Sequence, residues 1–167
     1  MNIYVRIYNL SQHNVEDVLH YTDNLNIVEI GAKKDSTGKD SAEPSPTSST
    51  LDKFLKDLKI GDIVFVGLGG KGSKEENRKL LGIVYISGKP EKHDYGENVK
   101  VTANAEILER FVDEEGNEVR DWREEWPELE SILGRLTSFQ IIKPETYPEI
   151  FKKIQELLNA RKFRRED

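Results

Sequence analysis

The sequence predicts an α+β domain with a small, curved, mixed β-sheet or partial barrel flanked by short helices. Its 167 residues fit one domain with a hydrophobic core. Several predicted strands follow one another without a helix between them, which disfavours a doubly wound parallel sheet. We therefore expect a single domain over residues 1–160, followed by a charged tail or linker over residues 161–167.

Segments rich in β-branched and aromatic residues predict the strands. The first segment reads NIYVRIY, and turn glycines such as Gly61, Gly88 and Gly116 separate several of the others. The predicted strands are 2–8, 26–31, 63–67, 81–87, 98–108 and 138–142. A hairpin with its tip near Gly116 follows the fifth of these strands.

Capping residues and helical spacing predict the helices. Thr50 precedes a segment in which Leu51, Phe54, Leu55 and Leu58 fall on one helical face. The sequence Thr-Tyr-Pro-Glu at 146–149 matches a capping box, which opens a closing helix. The predicted helices are 15–21, 51–58, a short acidic helix ending near residue 133, and 147–160.

Residues 35–50 contain no large apolar side chain, and Ser, Thr, Pro and Gly dominate them. Such a segment offers little surface to bury, so we expect a long flexible loop.

The composition points to binding rather than catalysis. The chain has no cysteine, which excludes disulfides and thiolate chemistry, and its three histidines lie far apart. We therefore expect no metal site, no cofactor and no catalytic residues. No run of about 18 apolar residues and no signal-peptide pattern is present, so a cytoplasmic protein is expected.

Charge is distributed unevenly along the chain. Residues 106–130 contain eleven acidic and three basic residues, a net charge of −8, whereas the whole chain carries −6. Residues 67–92 are enriched in lysine and arginine. These cations are either ordinary solvated surface or contacts for nucleic-acid phosphates. The predicted phosphate-binding residues are Lys33, Lys34, Lys71, Lys74, Arg78, Lys79, Lys89 and Lys92.

The glycine-rich segment at residues 67–72 matches the spacing G-x-G-x-x-G. In a dinucleotide fold this spacing opens a helix within a βαβ unit of about thirty residues. Here the next strand begins near Leu81, which leaves no room for that helix. We interpret the segment as a hairpin loop whose backbone amides and lysines could hold a phosphate.

Aromatic and amide side chains suggest a base pocket. Tyr8 and Asn9 directly follow the first strand, and Trp122 and Trp126 are four residues apart. A ring can stack on a base and an Asn amide can bond its edge. The alternatives are core packing for the tryptophans and turn formation for Tyr8 and Asn9. The predicted pocket residues are Tyr8, Asn9 and Trp122.

Two segments carry a resemblance to a known superfamily. LKIGDIVFVG at 58–67 and LLGIVYISGKPE at 80–91 resemble the PUA-like superfamily, which includes EVE and YTH domains. With the opening IYVRIYN and the closing PETYPEIFKKIQELL, the chain looks most like the N-terminal recognition module of archaeal McrB-type restriction GTPases. The resemblance covers about residues 2–142.

This resemblance implies a nucleic-acid reader that takes a flipped, modified base into a pocket. The family's pocket residues follow the first strand, at positions matching Tyr8, Asn9 and Leu10. YTH domains also carry a tryptophan at the end of the second strand, where this chain has Glu29, Ile30 and Gly31 instead. The expected partner is DNA, plain or modified, within a restriction complex whose GTPase or nuclease lies elsewhere. RNA binding and protein interaction are the alternatives.

Overall fold

The computed structural model describes residues 1–9, 25–33, 48–95, 98–135 and 139–166. The predicted helix 15–21 and residues 35–47 of the predicted loop lie outside these ranges. The elements are β1 (Ile3–Asn9), β2 (Ile27–Lys33), α1 (Ser48–Asp57), β3 (Ile63–Gly69), a 3₁₀ turn (Glu75–Asn77), β4 (Lys79–Ile86), β5 (Glu91–Tyr95), β6 (Asn98–Arg110), α2 (Trp122–Glu125), α3 (Leu129–Ile132), β7 (Phe139–Ile142) and α4 (Pro148–Glu166).

The described strands form one mixed, curled sheet in the order β2-β6-β4-β3-β1-β7, with β5 paired to β6. β1 and β3 are parallel, and the other pairs are antiparallel. β6 pairs with β4 through its second half and with β2 and β5 through its first half. The predicted α+β fold with a small curved sheet flanked by helices is confirmed.

Both faces of the sheet are covered. One face contributes to the α1 cluster, which contains Tyr4 and Tyr8 of β1 and Phe54 of α1. The other face contributes to the tryptophan cluster, in which Val5 of β1 packs with Trp122 and with residues of α3 and α4. Because alternate strand residues point to opposite faces, the central strands β1 and β3 are buried almost throughout.

Two helices begin at other residues than predicted, and one strand was not predicted. Helix α1 begins at Ser48, so Thr50 lies inside it and residues 48–50 do not belong to the loop. Helix α4 begins at Pro148. Proline has no backbone N–H, and this costs nothing in the first turn of a helix, where the N–H groups have no partner within the helix. Strand β5 was not predicted, because its sequence EKHDY is charged and follows Pro90.

The predicted tail is helical instead. α4 continues to Glu166, because no glycine or proline follows Ala160 and arginine and lysine favour helices. Arg161 docks this part of α4 on β6. Its Nη1 donates to the carbonyl oxygen of Ile107 at 3.2 Å, and its Nη2 lies 3.7 Å from a carboxylate oxygen of Glu106.

The predicted hairpin near Gly116 is confirmed. Val112 bridges to Glu118, and Gly116 has a φ of 87°. The Asp113 carboxylate accepts hydrogen bonds from the backbone N–H groups of Glu115 and Asn117 at 2.9 and 2.8 Å. These bonds lower the pKa of Asp113, the bond from Asn117 most of all. The turn then leads the chain back to α2.

Glycines in β3 allow α3 to pack directly on the strand. A Cβ at Gly69 would lie only 1.9 Å from the carbonyl oxygen of Leu133, and one at Gly67 would lie 2.5 Å from a Leu133 methyl group. The N–H of Gly70 donates to that same Leu133 carbonyl at 2.8 Å. Part of the glycine-rich segment therefore serves helix–strand packing.

Gly69→Ala should lower the free energy of unfolding by about 1–3 kcal/mol, because backbone of α3 must shift to admit the methyl group. Gly31→Ala is the matched control. A Cβ there would lie 3.8 Å from its nearest neighbour, the Val99 carbonyl oxygen, which is ordinary contact. Urea unfolding of both variants measures the difference. Equal stability of the two variants would contradict the close approach.

Candidate nucleic-acid interface

Two parallel strands end side by side at one edge of the sheet. Asn9, the last residue of β1, is in register with Gly69, the last residue of β3. Gly70 follows with a φ of 113°, and a Cβ there would lie 3.1 Å from the Asn9 side-chain oxygen. Asn9 of the predicted base pocket therefore lies beside the glycine-rich segment predicted to hold phosphate.

The segment from Gly70 to Arg78, here called the glycine loop, connects β3 to β4 as a hairpin connection. Both the N–H and the hydroxyl of Ser73 donate to the Gly70 carbonyl, at 3.2 and 2.6 Å. Gly72 has a φ of 81° and open space around it. Lys71 and Lys74 are exposed on either side of Gly72. The loop thus presents two ammonium groups beside an uncrowded backbone.

Arg78 supports the loop. Its Nε donates to the Ser73 hydroxyl at 3.0 Å and its Nη2 to the Ser73 carbonyl at 2.8 Å, while its Nη1 lies 3.4 Å from the carbonyl of Glu130. Because three of its donors face protein oxygens, we assign Arg78 to loop support rather than to direct phosphate contact.

A second arginine, which sequence reasoning missed, also holds the loop. Nη2 of Arg123 donates to the carbonyls of Glu75 and Arg78 at 2.8 and 2.9 Å. Its Nε also pairs with Glu130 at 3.1 Å. Its position within an acidic run gave no sign of this role, since its partners are 45 and 48 residues away in sequence.

Tyr8 lies inside the α1 cluster with only 2% of its surface exposed. The guanidinium of Arg6 stacks over its ring, 4.0 Å from the ring centroid. Arg6 is itself 4% exposed, and its Nε donates to the Glu29 carbonyl of β2 at 2.7 Å. Sequence reasoning missed Arg6. A charged residue in a strand usually faces water, but here the strand is covered on both faces.

Burial controls the protonation of this pair. It raises the pKa of Tyr8 to about 12, and the nearby Arg6 cation only partly opposes that shift. Burial also lowers the pKa of Arg6. Tyr8 therefore remains a neutral phenol at physiological pH, with its hydroxyl 3.5 Å from the Glu29 carbonyl.

Trp122 is placed away from Tyr8. It is 0% exposed and belongs to the tryptophan cluster, on the opposite face of the sheet, with the Arg123 guanidinium 4.4 Å from its ring. Trp126 lies in the same cluster, edge-on to Phe65 at 5.0 Å. Both tryptophans are core residues, so the structure does not bring Trp122 into a pocket with Tyr8 and Asn9.

The predicted phosphate contacts form separate groups. Lys71 and Lys74 lie in the glycine loop, and half-buried Lys79 begins β4. Exposed Lys89 and Lys92 lie beyond the other end of β4, a strand that spans roughly 23 Å. The backbone of Lys33 ends β2, while Lys34 lies outside the described residues.

Much of the acidic segment 106–130 is paired internally. Arg120 bonds Glu109 and Glu125, and Arg123 lies within ion-pair distance of Glu118 and Glu130. Two further acids of the segment pair with cations from outside it, Glu128 with Lys153 and Glu106 with Arg161. Arg120 and Arg123 are already counted in the net charge of −8, so among the described pairs only these two outside pairs offset part of that charge.

Among residues 1–9, 25–33, 48–95, 98–135 and 139–166, no group of three or more His, Asp or Glu side chains could hold a metal ion. No described helix is long and apolar enough to cross a membrane.

Comparisons with known proteins give distant structural similarity. No protein-family model matches the chain, and no curated protein matches it. A hypothetical protein from Leishmania major is similar with a TM-score of 0.46 and 10% identity, covering 93% of this chain and 96% of that one. A protein from Pseudomonas putida is similar with a TM-score of 0.41 and 13% identity, covering 90% and 97%. Neither similarity bears on function.

Arg6→Met should lower the free energy of unfolding by about 2–4 kcal/mol. The carbonyls of Ile7 and Glu29 would lose the guanidinium N–H groups that donate to them. Arg135→Met is the control, because Arg135 is exposed and its guanidinium donates to the side chains of Gln140 and Tyr147. Its loss should stay below about 1 kcal/mol. Equal losses in urea unfolding would show that Arg6 contributes no more than a surface residue.

Alkaline pH should destabilise the fold through Tyr8. Its folded pKa of about 12 exceeds the ordinary value of 10.0, so its stabilisation is complete below pH 10 and is lost as the pH rises towards 12. Across that window wild type should lose about 2 kcal/mol more than Tyr8→Phe, which cannot ionise there. Urea unfolding at stepped pH measures both proteins. Parallel stability curves would contradict the assignment.

Proposed function

We propose that this domain binds DNA at the edge where β1 and β3 end, as a recognition module of a McrB-type restriction complex. One observation carries the proposal: the Asn9 side chain lies against Gly70, beside a loop that exposes Lys71 and Lys74. A group able to bond a base edge and groups able to contact phosphates therefore share one edge.

The glycine loop supplies the phosphate contacts in this proposal. Lys71 and Lys74 provide the charge, and Gly72 leaves space for a backbone to approach. Arg78 and Arg123 hold the loop through its own carbonyls. A loop that is already ordered loses less conformational entropy on binding.

Asn9 supplies the base contact in this proposal. An amide side chain offers a donor and an acceptor together, the pattern that matches the edge of adenine. Tyr8 faces the α1 cluster, on the opposite side of the sheet from the Asn9 side chain, because β1 runs to Asn9 and adjacent strand residues alternate. Because only 2% of Tyr8 is exposed, a flipped base could stack on its ring only if the neighbouring side chains moved. Trp122 takes no part, and GTPase or nuclease activity would belong to other domains or subunits.

Fluorescence anisotropy with three labelled duplexes tests the proposal. The duplexes are plain DNA, the same DNA with methylated bases, and RNA of matching sequence, each measured over a range of salt concentrations. DNA binding that weakens steeply with salt supports the proposal. Preferred binding of RNA would favour the RNA-binding alternative. The absence of binding to any duplex would favour a protein partner.

The double variant Lys71→Gln/Lys74→Gln should weaken binding to all DNA sequences alike. It should also reduce the slope of log affinity against log salt by about 2, close to one per lost phosphate contact. Lys53→Gln/Lys56→Gln is the matched control, with two exposed lysines at the same spacing on α1. An unchanged slope in the first variant, or equal changes in both, would place the phosphate contacts elsewhere.

A further inference from the structure

A second concave site lies at the opposite end of β3. Gly61 precedes β3 and Gly70 follows it, and a strand of this length spans roughly 20 Å. Beside Gly61 is a half-open cavity of about 290 Å³, bounded by α4 on one side and by β4 and β6 on the other. It is separate from the proposed DNA edge, and the inference below does not rest on that proposal.

Apolar side chains line much of the cavity. Leu108, Leu158 and Tyr85 line it, and all three are partly buried against the tryptophan cluster. Leu108 lies at an irregularity in the pairing of β6 with β4. Apolar walls of this kind favour a ligand with an apolar face, since such a ligand removes apolar surface from water.

The polar groups of the cavity suit an uncharged ligand. Gln155 and Asn159 both line it from α4, one helical turn apart, and each carboxamide carries a donor and an acceptor. Glu106 and Arg161 also line it, with their charged atoms 3.7 Å apart, and half-exposed Met1 lines it as well. Because the charges of Glu106 and Arg161 largely compensate each other, this pair favours neither an anion nor a cation.

We infer that this cavity binds a small neutral heteroaromatic molecule of nucleobase or nucleoside size. Such a ligand combines a flat apolar ring with adjacent donors and acceptors, which is what the leucines, Tyr85 and the two carboxamides complement. A cavity of this volume is near the lower end of ligand pockets, so it suits a molecule of that size. A monosaccharide would satisfy the polar groups but would leave its hydroxyls against the apolar walls.

Titration of the ¹⁵N-labelled protein with the four ribonucleosides, and with ribose as the sugar control, tests this inference by NMR. At least one nucleoside should bind with a dissociation constant on the order of 0.1–1 mM. The amide signals of Tyr85, Leu108 and Leu158 should shift. No shift with any nucleoside, shifts confined to Asn9 and Gly70, or equal binding of ribose would overturn the assignment.

The double variant Gln155→Leu/Asn159→Leu removes the polar edge while keeping helix-forming residues. It should weaken nucleoside binding about tenfold or more, because two hydrogen-bonding groups are lost. Lys152→Leu/Glu156→Leu is the matched control, since these exposed residues lie on the same helix outside the cavity. Thermal unfolding checks that both variants fold. Equal affinity in the two folded variants would also overturn the inference.

Discussion

The curvature of the sheet depends on one buried arginine. In the hydrogen-bonded order, β1 and β2 are separated by β3, β4 and β6, yet Nε of Arg6 on β1 lies 2.7 Å from the Glu29 carbonyl on β2. The sheet must therefore curl until β2 approaches the inner face of β1. Burying a guanidinium is costly without hydrogen-bonding partners. Two of its acceptors are backbone carbonyls, those of Ile7 and Glu29, so they cannot adjust without moving a strand.

The same curl positions the residues at the edge where β1 ends. Inside the curl, Tyr8 is held by the stacked guanidinium of Arg6. On the outside, Gly67 and Gly69 let Leu133 approach the backbone of β3 more closely than any side chain there would allow. Asn9 and Gly70 are the next residues along each strand. Both are thus placed by contacts on opposite faces of the sheet, which is the rigid support that a recognition site needs.

The strands that dominate the sheet could be predicted because they bury both faces, so their sequences are continuous β-branched and aromatic runs. The predictions failed where burial and polarity disagree. β5 is charged, and it is a strand because it pairs with β6. A local sequence pattern does not reveal that pairing. The helical residues after Ala160 resemble a tail only because they are charged.

The site was predictable in part for the same reason. Asn9 and the glycine loop follow strands, and the parallel pairing of β1 with β3 brings them together. Whether those strands pair cannot be read from either sequence alone. Trp122 was predicted in the base pocket but lies in the core. The four-residue spacing of the two tryptophans indicates that they share a helical face, but it does not show whether that face meets a ligand or the sheet. Arg6, Arg78 and Arg123 looked like surface charges, and their partners lie far away in the chain or on the backbone.

A chain with a net charge of −6 can still attract a phosphate at one edge. In water, the charges near the phosphate act on it more strongly than the net charge of the whole chain. At physiological salt, exposed charges more than about 8 Å apart are largely screened. A phosphate at the glycine loop would respond chiefly to the charges of that loop, where Lys71, Lys74 and Arg78 outnumber Glu75 and Glu76 and leave a net charge of +1. The acidic segment contributes differently: Glu130 pairs with Arg123, whose guanidinium also binds the loop carbonyls. Those acids therefore help to order the loop through the arginine that they hold.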